Sequence, residues 1–404
     1  MKRLLTLALL LMSVALYAQT YNCFGIIAGS KATADGSVMM AHNEDESGEQ
    51  MLNIYAVPAS KDNVRYLWFE FPGMSVADSY INEYGVCVAS DGCSSQENRK
   101  DLTNGGVLYE VRQAVAKQAR SAKEAVSIIG SLVEEFGYAG SGRTYVIADP
   151  KEGWIVSVVQ GRHWVAQRVP DDCVMTIPNY YIIGKVDLSD TKNFAGSADL
   201  ISYAKSRGWY DPDKDGEFSF RKAYASRKTM NSDHNVKRHK NAYKFFFGRD
   251  RKEDDPIALK PKKPVTVQDM IDALSLPKIS NNETVLSTVF QLRSWLPLEK
   301  GCIAWTAMGH PNVNVFVPWY LGITKVPINF CRFANASRAE EKHFTDTKEL
   351  RDNYPFHFYW KYFDEWSERS KRDKSAQKKA FKAAEKFEKS NKNDYNEFIS
   401  QFYK

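Results

Sequence analysis

The chain has 404 residues, of which 43% are hydrophobic and 13% aromatic, and its formal net charge is +6. This composition indicates a globular protein with an ordinary core and excludes a largely disordered or fibrous chain. Most of the positive charge lies near the C-terminus, where residues 367–393 carry ten Lys or Arg against four Asp or Glu. The rest of the chain is formally neutral, which argues against a nucleic-acid-binding protein. We expect the basic segment to be a solvated helix, with an anionic surface contact as the alternative.

The first eighteen residues have the layout of an export signal. Lys2 and Arg3 precede an apolar run over residues 4–16, and Tyr17-Ala18 close it. The run is too short to cross a membrane, and its small closing residue disfavours the alternative of a membrane anchor. We therefore expect residues 1–18 to be a signal peptide and residues 19–22 a short propeptide. The mature protein is expected in the periplasm of a bacterium or secreted, with no stable membrane span.

A cysteine, Cys23, stands directly after this segment, and the residues that follow it predict a β-hairpin. Residues 24–28 are apolar, residues 29–36 are turn-rich and include an Asp-Gly pair, and residues 37–41 are again extended. Folding the chain back about this turn places the polar window of residues 42–48 beside Cys23.

A cysteine at a mature N-terminus can act as its own activated nucleophile. Its free α-amine has an ordinary pKa of about 7.7–8.0, so the amine can take the thiol proton at neutral pH. Three other readings of Cys23 stay open: a disulfide partner, a buried inert thiol, and a lipid attachment site. Lipid attachment requires a small residue directly before the cysteine and an aliphatic residue three positions before it. Asn22 and Thr20 stand at these positions and disfavour it.

The six cysteines form neither a dense disulfide framework nor a paired zinc spacing. A disulfide between Cys87 and Cys93 remains open. The sequence predicts no metal site and no cofactor. The loop at Asp211 copies the first half of an EF-hand up to Gly216, but Lys222 stands where the bidentate Glu belongs. A plain acidic turn is favoured there over a calcium site completed from elsewhere.

Strand and helix patterns alternate along the chain and predict an α+β fold with antiparallel strands. A helical spacing around residues 107–115 is followed by a second helix that starts at Ser121 with a capping box to Glu124 and stops at Gly137. A short helix is predicted over residues 266–274, and residues 187–264 show little periodicity. The predicted strands cover residues 66–71, 85–89, 144–148, 154–159, 163–169, 287–293, 302–307 and 314–317.

Five separated motifs occur in the order expected of one known family. They are CFGIIAGSKATADGSVMMAHNED (23–45), NEYGVCVASDGC (82–93), SGRTYVIADPKEGWIVSVV (141–159), WVAQRVPDD (164–172) and TVFQLRSWLP (288–297). Together they resemble the dipeptidase A family of N-terminal-nucleophile (Ntn) cysteine peptidases, which is related to penicillin V acylase and the choloylglycine (bile salt) hydrolases. The resemblance implies a four-layer αββα sandwich. We assign residues 23–340 to this peptidase domain and residues 341–404 to a basic helical extension.

The resemblance also implies roles at the start of the domain. Cys23 matches the nucleophile, exposed by removal of the preceding residues, either by self-cleavage or by a host peptidase. Asp45 matches an acidic residue that contacts the nucleophile and its amine. His42 stands where the family more often has an arginine, so it lacks a permanent charge for pairing with a carboxylate. His42 and its neighbour Asn43 are assigned to substrate binding.

Further candidates lie later in the chain. Ser90 and Asp91 stand where related acylases donate an asparagine to the oxyanion hole, and they are assigned to substrate binding. Asn179 resembles a second asparagine of those sites, with a turn residue as the alternative. Arg227 resembles an arginine near the nucleophile, with a surface ion pair as the alternative.

The sequence thus predicts an exported cysteine dipeptidase that acts on dipeptides or short peptides through Cys23 and its α-amine, without a cofactor. One alternative is an N-acyl amide hydrolase of the bile salt or penicillin V acylase type. The other is a non-catalytic exported binding protein in which Cys23 is disulfide-bonded and the Asp211 loop binds calcium. The expected partner is a small peptide substrate, and the sequence leaves a homo-oligomer open.

Overall fold

The computed structural model describes residues 23–46, 50–252, 255–368, 371–390 and 392–403. The predicted signal peptide and propeptide, residues 1–22, lie outside the described residues.

The strands form two antiparallel sheets that lie face to face. In chain order they are β1 (Phe24–Ala28), β2 (Val38–Asp45), β3 (Asn53–Val57), β4 (Tyr66–Glu70), β5 (Ser79–Asn82), β6 (Cys87–Gly92), β7 (Tyr138–Ala148), β8 (Gly153–Gly161), β9 (Trp164–Arg168), β10 (Val174–Ile177), β11 (Phe194–Gly196), β12 (Thr284–Leu292), β13 (Cys302–Met308) and β14 (Val317–Tyr320). The first sheet has the order β10-β1-β2-β12-β13-β14, and the second has the order β11-β9-β8-β7-β6-β5-β4-β3. Strands β1 and β2 of the first sheet pack on β6 and β7 of the second.

Helices cover the outer faces of both sheets. They are α1 (Tyr109–Gln118), α2 (Ala122–Phe136), α3 (Leu200–Ser206), α4 (Pro212–Asp215), α5 (Phe220–Tyr224), α6 (Arg227–Met230), α7 (Asp233–Phe247), α8 (Val267–Leu274), α9 (Leu298–Gly301), α10 (Ala336–Lys342), α11 (Leu350–Asn353), α12 (Phe358–Glu368), α13 (Lys374–Lys389) and α14 (Tyr395–Ser400). Helices α1 and α2 pack on the second sheet, whereas α7, α8, α12, α13 and α14 pack on the first. The α+β class and the four-layer αββα arrangement predicted from the sequence are confirmed. Within the described residues, no helix has both the length and the apolar character needed to cross a membrane.

Local sequence signals account for most of the early elements. The hairpin is confirmed, with Phe24 opposite Asn43 across β1 and β2. The side chain of Ser121 accepts a hydrogen bond from the Glu124 N–H and so begins α2 as predicted. Gly137, with a φ of 77°, ends that helix, because few other residues adopt this left-handed conformation.

Helix α7 is the main element that the sequence did not reveal. Its buried face includes Asn235, Arg238 and His239 among apolar residues such as Ala242 and Phe246. Because polar and charged residues occupy buried positions, the helix lacks the apolar periodicity that marks an ordinary surface helix. Buried charged residues on a helix are uncommon. Helix α7 supplies one of them to the site described below.

The C-terminal segment contributes to the core of the first sheet. Phe387 of α13 and Phe398 of α14 are buried and pack against Tyr320 of β14. The opposite side of α13 exposes six lysines and one glutamate: Lys374, Lys378, Lys379, Lys382, Glu385, Lys386 and Lys389. The basic segment is therefore amphipathic, with its apolar side attached to the sheet.

All six cysteines are buried and free. Cys87 contacts the sulfur of Met40 at 4.0 Å, and the thiol of Cys93 donates to the carbonyl of Pro178. The disulfide between Cys87 and Cys93 that the sequence left open is not formed.

A buried histidine links the loop after β13 to the loop before β12, and we predict that it makes the fold acid-sensitive. His310 Nδ1 accepts from the Asn312 N–H, and its Nε2 lies 3.1 Å from Ser280 Oγ, which fits a neutral imidazole. Burial lowers the pKa of His310 to about 4. In the unfolded chain the pKa of a histidine is about 6.5. The contribution of neutral, buried His310 to the free energy of unfolding is therefore complete above pH 6.5 and is lost as the pH falls toward 4.

The expected loss is about 3 kcal/mol of unfolding free energy over this interval. Urea unfolding at a series of pH values checks it, with His310→Gln as the comparison. The variant should show a shallower fall between pH 6.5 and 4. Equal slopes for the two proteins would contradict the assignment.

Candidate active site

The first hairpin determines what lies beside Cys23. Because Gly25 faces His42 in the β1–β2 register, Cys23 lies across from Glu44. The Cys23 thiol donates to Glu44 Oε1 at 3.1 Å. Side chains alternate along a strand, so His42 and Glu44 share the face of Cys23, whereas Asn43 and Asp45 lie on the other. The prediction that polar residues lie beside the cysteine is confirmed for His42 and Glu44, whereas residues 47–48 of the predicted window lie outside the described residues.

A second sheet completes the polar cluster around the thiol. His42 Nδ1 lies 4.0 Å from Glu44 Oε2, and His42 Nε2 lies 3.5 Å from Asp91 Oδ1 of β6. Each of these side chains is at most 2% exposed, and Cys23 is 1% exposed. The cluster therefore lies between the two sheets, where β1 approaches β6.

Close contact between the sheets at this point depends on a glycine. A Cβ added to Gly25 would lie 2.9 Å from Asp91 Oδ2 and 3.1 Å from Val146 Cγ2. We expect Gly25→Ala to cost about 1–3 kcal/mol, because buried atoms must move to admit the methyl group. Gly184→Ala is the matched control, since nothing lies within 4 Å of the added Cβ there. Chemical denaturation of both variants checks the difference, and equal midpoints would contradict it.

A second group of polar side chains lies on the other face of β2. Arg238 of α7 is 3.8 Å from Asp45 Oδ2 and donates from Nη1 to Asn179 Oδ1 at 2.8 Å. Asn281 Nδ2 also donates to Asp45 Oδ2, at 2.6 Å. The guanidinium lies over the ring of Phe24, 5.1 Å from its centroid. Arg238 therefore joins the end of the hairpin to the segment that carries Asn179.

Burial and charge set the protonation of these groups. The pKa of the Cys23 thiol is raised well above its usual value, first by burial and then by the carboxylates of Glu44, Asp91 and Asp45. Burial likewise raises the pKa of Glu44 well above its usual range. The pKa of Asp45 is raised to about 6 by burial, which the Arg238 charge opposes. In the described chain the thiol is thus held in its protonated, unreactive form.

Several buried polar atoms of these two groups have no hydrogen-bond partner among the described residues. They are His42 Nε2, Glu44 Oε2, Asp45 Oδ1, both carboxylate oxygens of Asp91, Asn179 Nδ2, and Nε and Nη2 of Arg238. An unsatisfied buried polar group costs about 1–3 kcal/mol. A concentration of such groups around one strand is therefore unusual. Concentrations of this kind mark sites that bind or transform a ligand.

Other predicted residues have different surroundings. The carboxylate next to the thiol belongs to Glu44 rather than Asp45, which instead gives Cys23 a backbone hydrogen bond. Asn43 is occupied structurally: its amide donates to the carbonyls of Leu274 and Ile279.

The second-sheet candidate Ser90 is buried and accepts from Arg143 through its hydroxyl at 3.1 Å. Arg143 is itself buried, and its charge acts on Glu44. Ser90 thus contributes through this arginine, whereas its neighbour Asp91 reaches His42 directly.

The arginine of the site differs from the one predicted. Arg227 is exposed at the start of α6 and makes none of the described contacts that join Cys23, Asp45 and Asn179. Arg238 takes that place instead, because α7 carries it inward at 0% exposure. Strand alternation could have identified Glu44, but no sequence signal distinguished Arg238 from the other basic residues of residues 221–252.

Two groupings bear on metal binding. Cys23, His42 and Glu44 each offer one ligand atom, and these atoms lie within 4.8 Å of one another. In the acidic loop, Asp211 begins α4 and pairs with Lys214 at 2.8 Å, as expected of a plain acidic turn.

The family model described as Peptidase family C69 matches residues 100–277 and 275–350. The chain belongs to peptidase family C69. The matched ranges include Asn179 and Arg238 and begin after Cys23. Membership in C69 makes the chain a hydrolase.

Curated relatives match over most of their length. A "Probable dipeptidase" of Salmonella dublin is 26% identical over 377 residues, covering 80% of this chain and 86% of the relative. A "Probable dipeptidase B" of Streptococcus pyogenes serotype M1 is 25% identical over 374 residues, covering 78% and 74%. A "Probable dipeptidase A" of the same serotype is 25% identical over 369 residues, covering 77% of each. The resemblance to the dipeptidase A family is confirmed.

Among solved structures, a Caenorhabditis elegans N-acylethanolamine-hydrolyzing acid amidase (NAAA) ortholog matches with a TM-score of 0.35 and 14% identity. The match covers 66% of this chain and 92% of the amidase chain.

Proposed function

We propose that this C69 peptidase is an exported dipeptidase whose nucleophile is Cys23 at the N-terminus of the mature chain. The observation that carries the proposal is the position of the thiol. Cys23 directly precedes the hairpin strand β1, is buried between the sheets, and is surrounded by polar atoms that lack partners among the described residues. The names of the relatives, each a probable dipeptidase, supply the substrate class.

The first step needs a base beside the thiol. Burial and three carboxylates keep the pKa of Cys23 high, so a thiolate does not form unaided. Cleavage between Asn22 and Cys23 would create an α-amine on the same residue as the thiol. This amine takes the thiol proton, and the resulting ammonium stabilises the thiolate and offsets the carboxylate charge.

Asp91 is suited to hold that ammonium. Its two carboxylate oxygens are buried and have no hydrogen-bond partner among the described residues. The Asp91 carboxylate lies against Gly25, which is two residues after Cys23 in the chain. A charge-assisted hydrogen bond between the two would orient the amine toward the thiol.

The oxyanion needs a fixed donor, and Asn179 supplies one. Arg238 donates to Asn179 Oδ1, which determines the amide orientation and leaves Nδ2 as the free donor. Such a donor typically contributes 2.7–4 kcal/mol to transition-state stabilisation, roughly a hundredfold or more in rate. Attack of the thiolate on the peptide carbonyl then expels the amine product, which takes its proton from the α-ammonium, and leaves a thioester. A water activated by the regenerated neutral α-amine hydrolyses this thioester.

Intact mass and N-terminal sequencing of the protein from an exporting host test the proposal. A mature chain beginning at Cys23 that hydrolyses free dipeptides supports it. A mature chain beginning at residue 19, in which the Cys23 nitrogen is still part of a peptide bond, would exclude the mechanism.

The substrate class is tested by comparing free dipeptides with their N-acyl counterparts at equal concentration. Preference for free dipeptides supports a dipeptidase. Hydrolysis of N-acyl amides with little action on free dipeptides would instead indicate the acylase alternative. The non-catalytic alternative requires a disulfide at Cys23, whereas the Cys23 thiol is free in the structure.

A further inference from the structure

The nucleophile lies within a set of donor atoms of mixed chemistry. Cys23 Sγ, His42 and Glu44 offer a sulfur, an imidazole nitrogen and a carboxylate oxygen, all within 4.8 Å of one another. Sγ is 3.1 Å from Glu44 Oε1, and His42 Nδ1 is 4.0 Å from Glu44 Oε2. Ligands around tetrahedral zinc stand about 3.3–3.8 Å apart, since metal–ligand bonds are about 2.0–2.3 Å. Small side-chain adjustments would bring these atoms onto one ion.

The orientation of His42 is that of a metal-binding histidine. Its Nδ1 faces Glu44, while its Nε2 faces Asp91 Oδ1 at 3.5 Å. Metal-bound histidines usually donate their second ring N–H to a carboxylate, which fixes the ring and increases the basicity of the ligating nitrogen. His42 and Asp91 are ready to form this pair, and both are at least 98% buried.

Negative charge and polar atoms without hydrogen-bond partners favour a cation beside Cys23, His42 and Glu44. Glu44 Oε2, His42 Nε2 and the Asp91 carboxylate oxygens lack hydrogen-bond partners among the described residues. A divalent ion would neutralise the carboxylates and give Glu44 Oε2 a partner. A thiolate together with an imidazole selects zinc over magnesium or calcium, which prefer oxygen ligands.

We infer that Zn²⁺ binds Cys23, His42 and Glu44, with Asp91 supporting His42, and that it reversibly blocks the nucleophile. Binding forms a Zn–S bond, and the thiol proton leaves to solvent. A sulfur bound to zinc donates electron density to the ion and is less nucleophilic, and the ion occupies the space beside it, so hydrolysis stops until the ion is removed. The inhibitory consequence rests on the proposed function, whereas the binding site does not. On a mature chain, the Cys23 α-amine can supply a fourth ligand.

The binding test uses metal-free protein purified from an exporting host, equilibrium dialysis against Zn²⁺, and Co²⁺ as a spectroscopic probe. One ion per chain is expected, with a thiolate-to-cobalt absorption band. Cys23→Ala should abolish the band. His42→Arg should abolish binding, because it replaces a ligand nitrogen by a fixed positive charge, and His42→Gln is a second variant in case the arginine prevents folding. Asp91→Asn should weaken binding about 10–100-fold, the usual effect of losing such a supporting carboxylate.

His163→Gln is the matched control. His163 is buried and its Nε2 lies 3.3 Å from Asp199 Oδ2, but among the described residues this pair belongs to no group of three His, Cys, Asp or Glu that could hold a metal ion. It should bind zinc as the unmodified protein does. Unchanged zinc affinity in both folded His42 variants would overturn the inference.

The activity test separates this inference from the proposed function. Zinc should inhibit dipeptide hydrolysis, and a chelator should restore it. If metal-free protein hydrolyses dipeptides and zinc leaves the rate unchanged or raises it, the inference fails and the dipeptidase stands. If metal-free protein hydrolyses no dipeptide but zinc binding still requires Cys23 and His42, the dipeptidase proposal fails and the zinc site stands.

Discussion

Replacing Cys23 by alanine is expected to lower dipeptide hydrolysis by roughly 10⁴-fold or more, the scale seen when a covalent nucleophile is removed. The reason is direct: without Sγ no thioester forms, and the remaining oxyanion donors act on a substrate that nothing attacks. Cys23→Ser is the conservative companion, since its hydroxyl keeps a donor for Glu44 Oε1, the partner of the thiol. The serine is also expected to be nearly inactive, because an α-amine activates a hydroxyl far less readily than a thiol.

Cys173→Ala is the control for the loss of a thiol. Cys173 is 9% exposed, lies next to β10, and contacts Asp172 rather than any residue of the site. Dipeptide hydrolysis followed by product chromatography, with circular dichroism melting curves for folding, measures all three variants. A folded Cys23→Ala protein with normal activity would remove Cys23 from the mechanism.

The mass of the same alanine variant reports on maturation. If the peptide bond before residue 23 is broken by the chain itself, the alanine variant should retain residues 19–22. If a host peptidase breaks it, the variant should be processed as the unmodified protein is. Either result leaves the assignment of the nucleophile to the activity measurement.

The architecture could be predicted because it depends on local patterns. Turn chemistry around Asp35-Gly36 and apolar runs on both sides specified the first hairpin, and its register then determined the neighbours of Cys23. The capping signal at Ser121 and the glycine at 137 similarly bounded α2. These signals operate within a few residues, so one sequence suffices to read them.

The site could be predicted only where it follows from such local signals. Glu44 faces Cys23 through strand alternation, a signal that the sequence contains, whereas the family match points to Asp45. Arg238 depends on α7, a helix whose buried charged residues obscure its apolar period. Its contacts to Asp45 and Asn179 span 193 and 59 residues of chain, a separation that no local pattern encodes.

Replacing Arg238 by methionine is expected to destabilise the fold by about 3–5 kcal/mol, the cost of leaving a buried carboxylate without its cation. Arg238 and Asp45 are both fully buried, with Nη2 3.8 Å from Oδ2, so solvent cannot replace the lost charge. The substitution also frees Asn179, whose Oδ1 accepts from Arg238 Nη1. Because the amide can then rotate away from the oxyanion, hydrolysis by the folded fraction should fall roughly a hundredfold.

Arg227→Met is the matched control, since it removes the same side chain from an exposed position eleven residues earlier. It should change unfolding free energy by no more than about 0.5 kcal/mol and leave hydrolysis unaltered. Combining Arg238→Met with Asp45→Asn removes both charges together. The double variant should be more stable than the sum of the single losses predicts, by about 0.5–3 kcal/mol, because neither charge is left unpaired. Strict additivity, or equal effects at positions 227 and 238, would show that Arg238 does not hold Asp45 and Asn179 in the site.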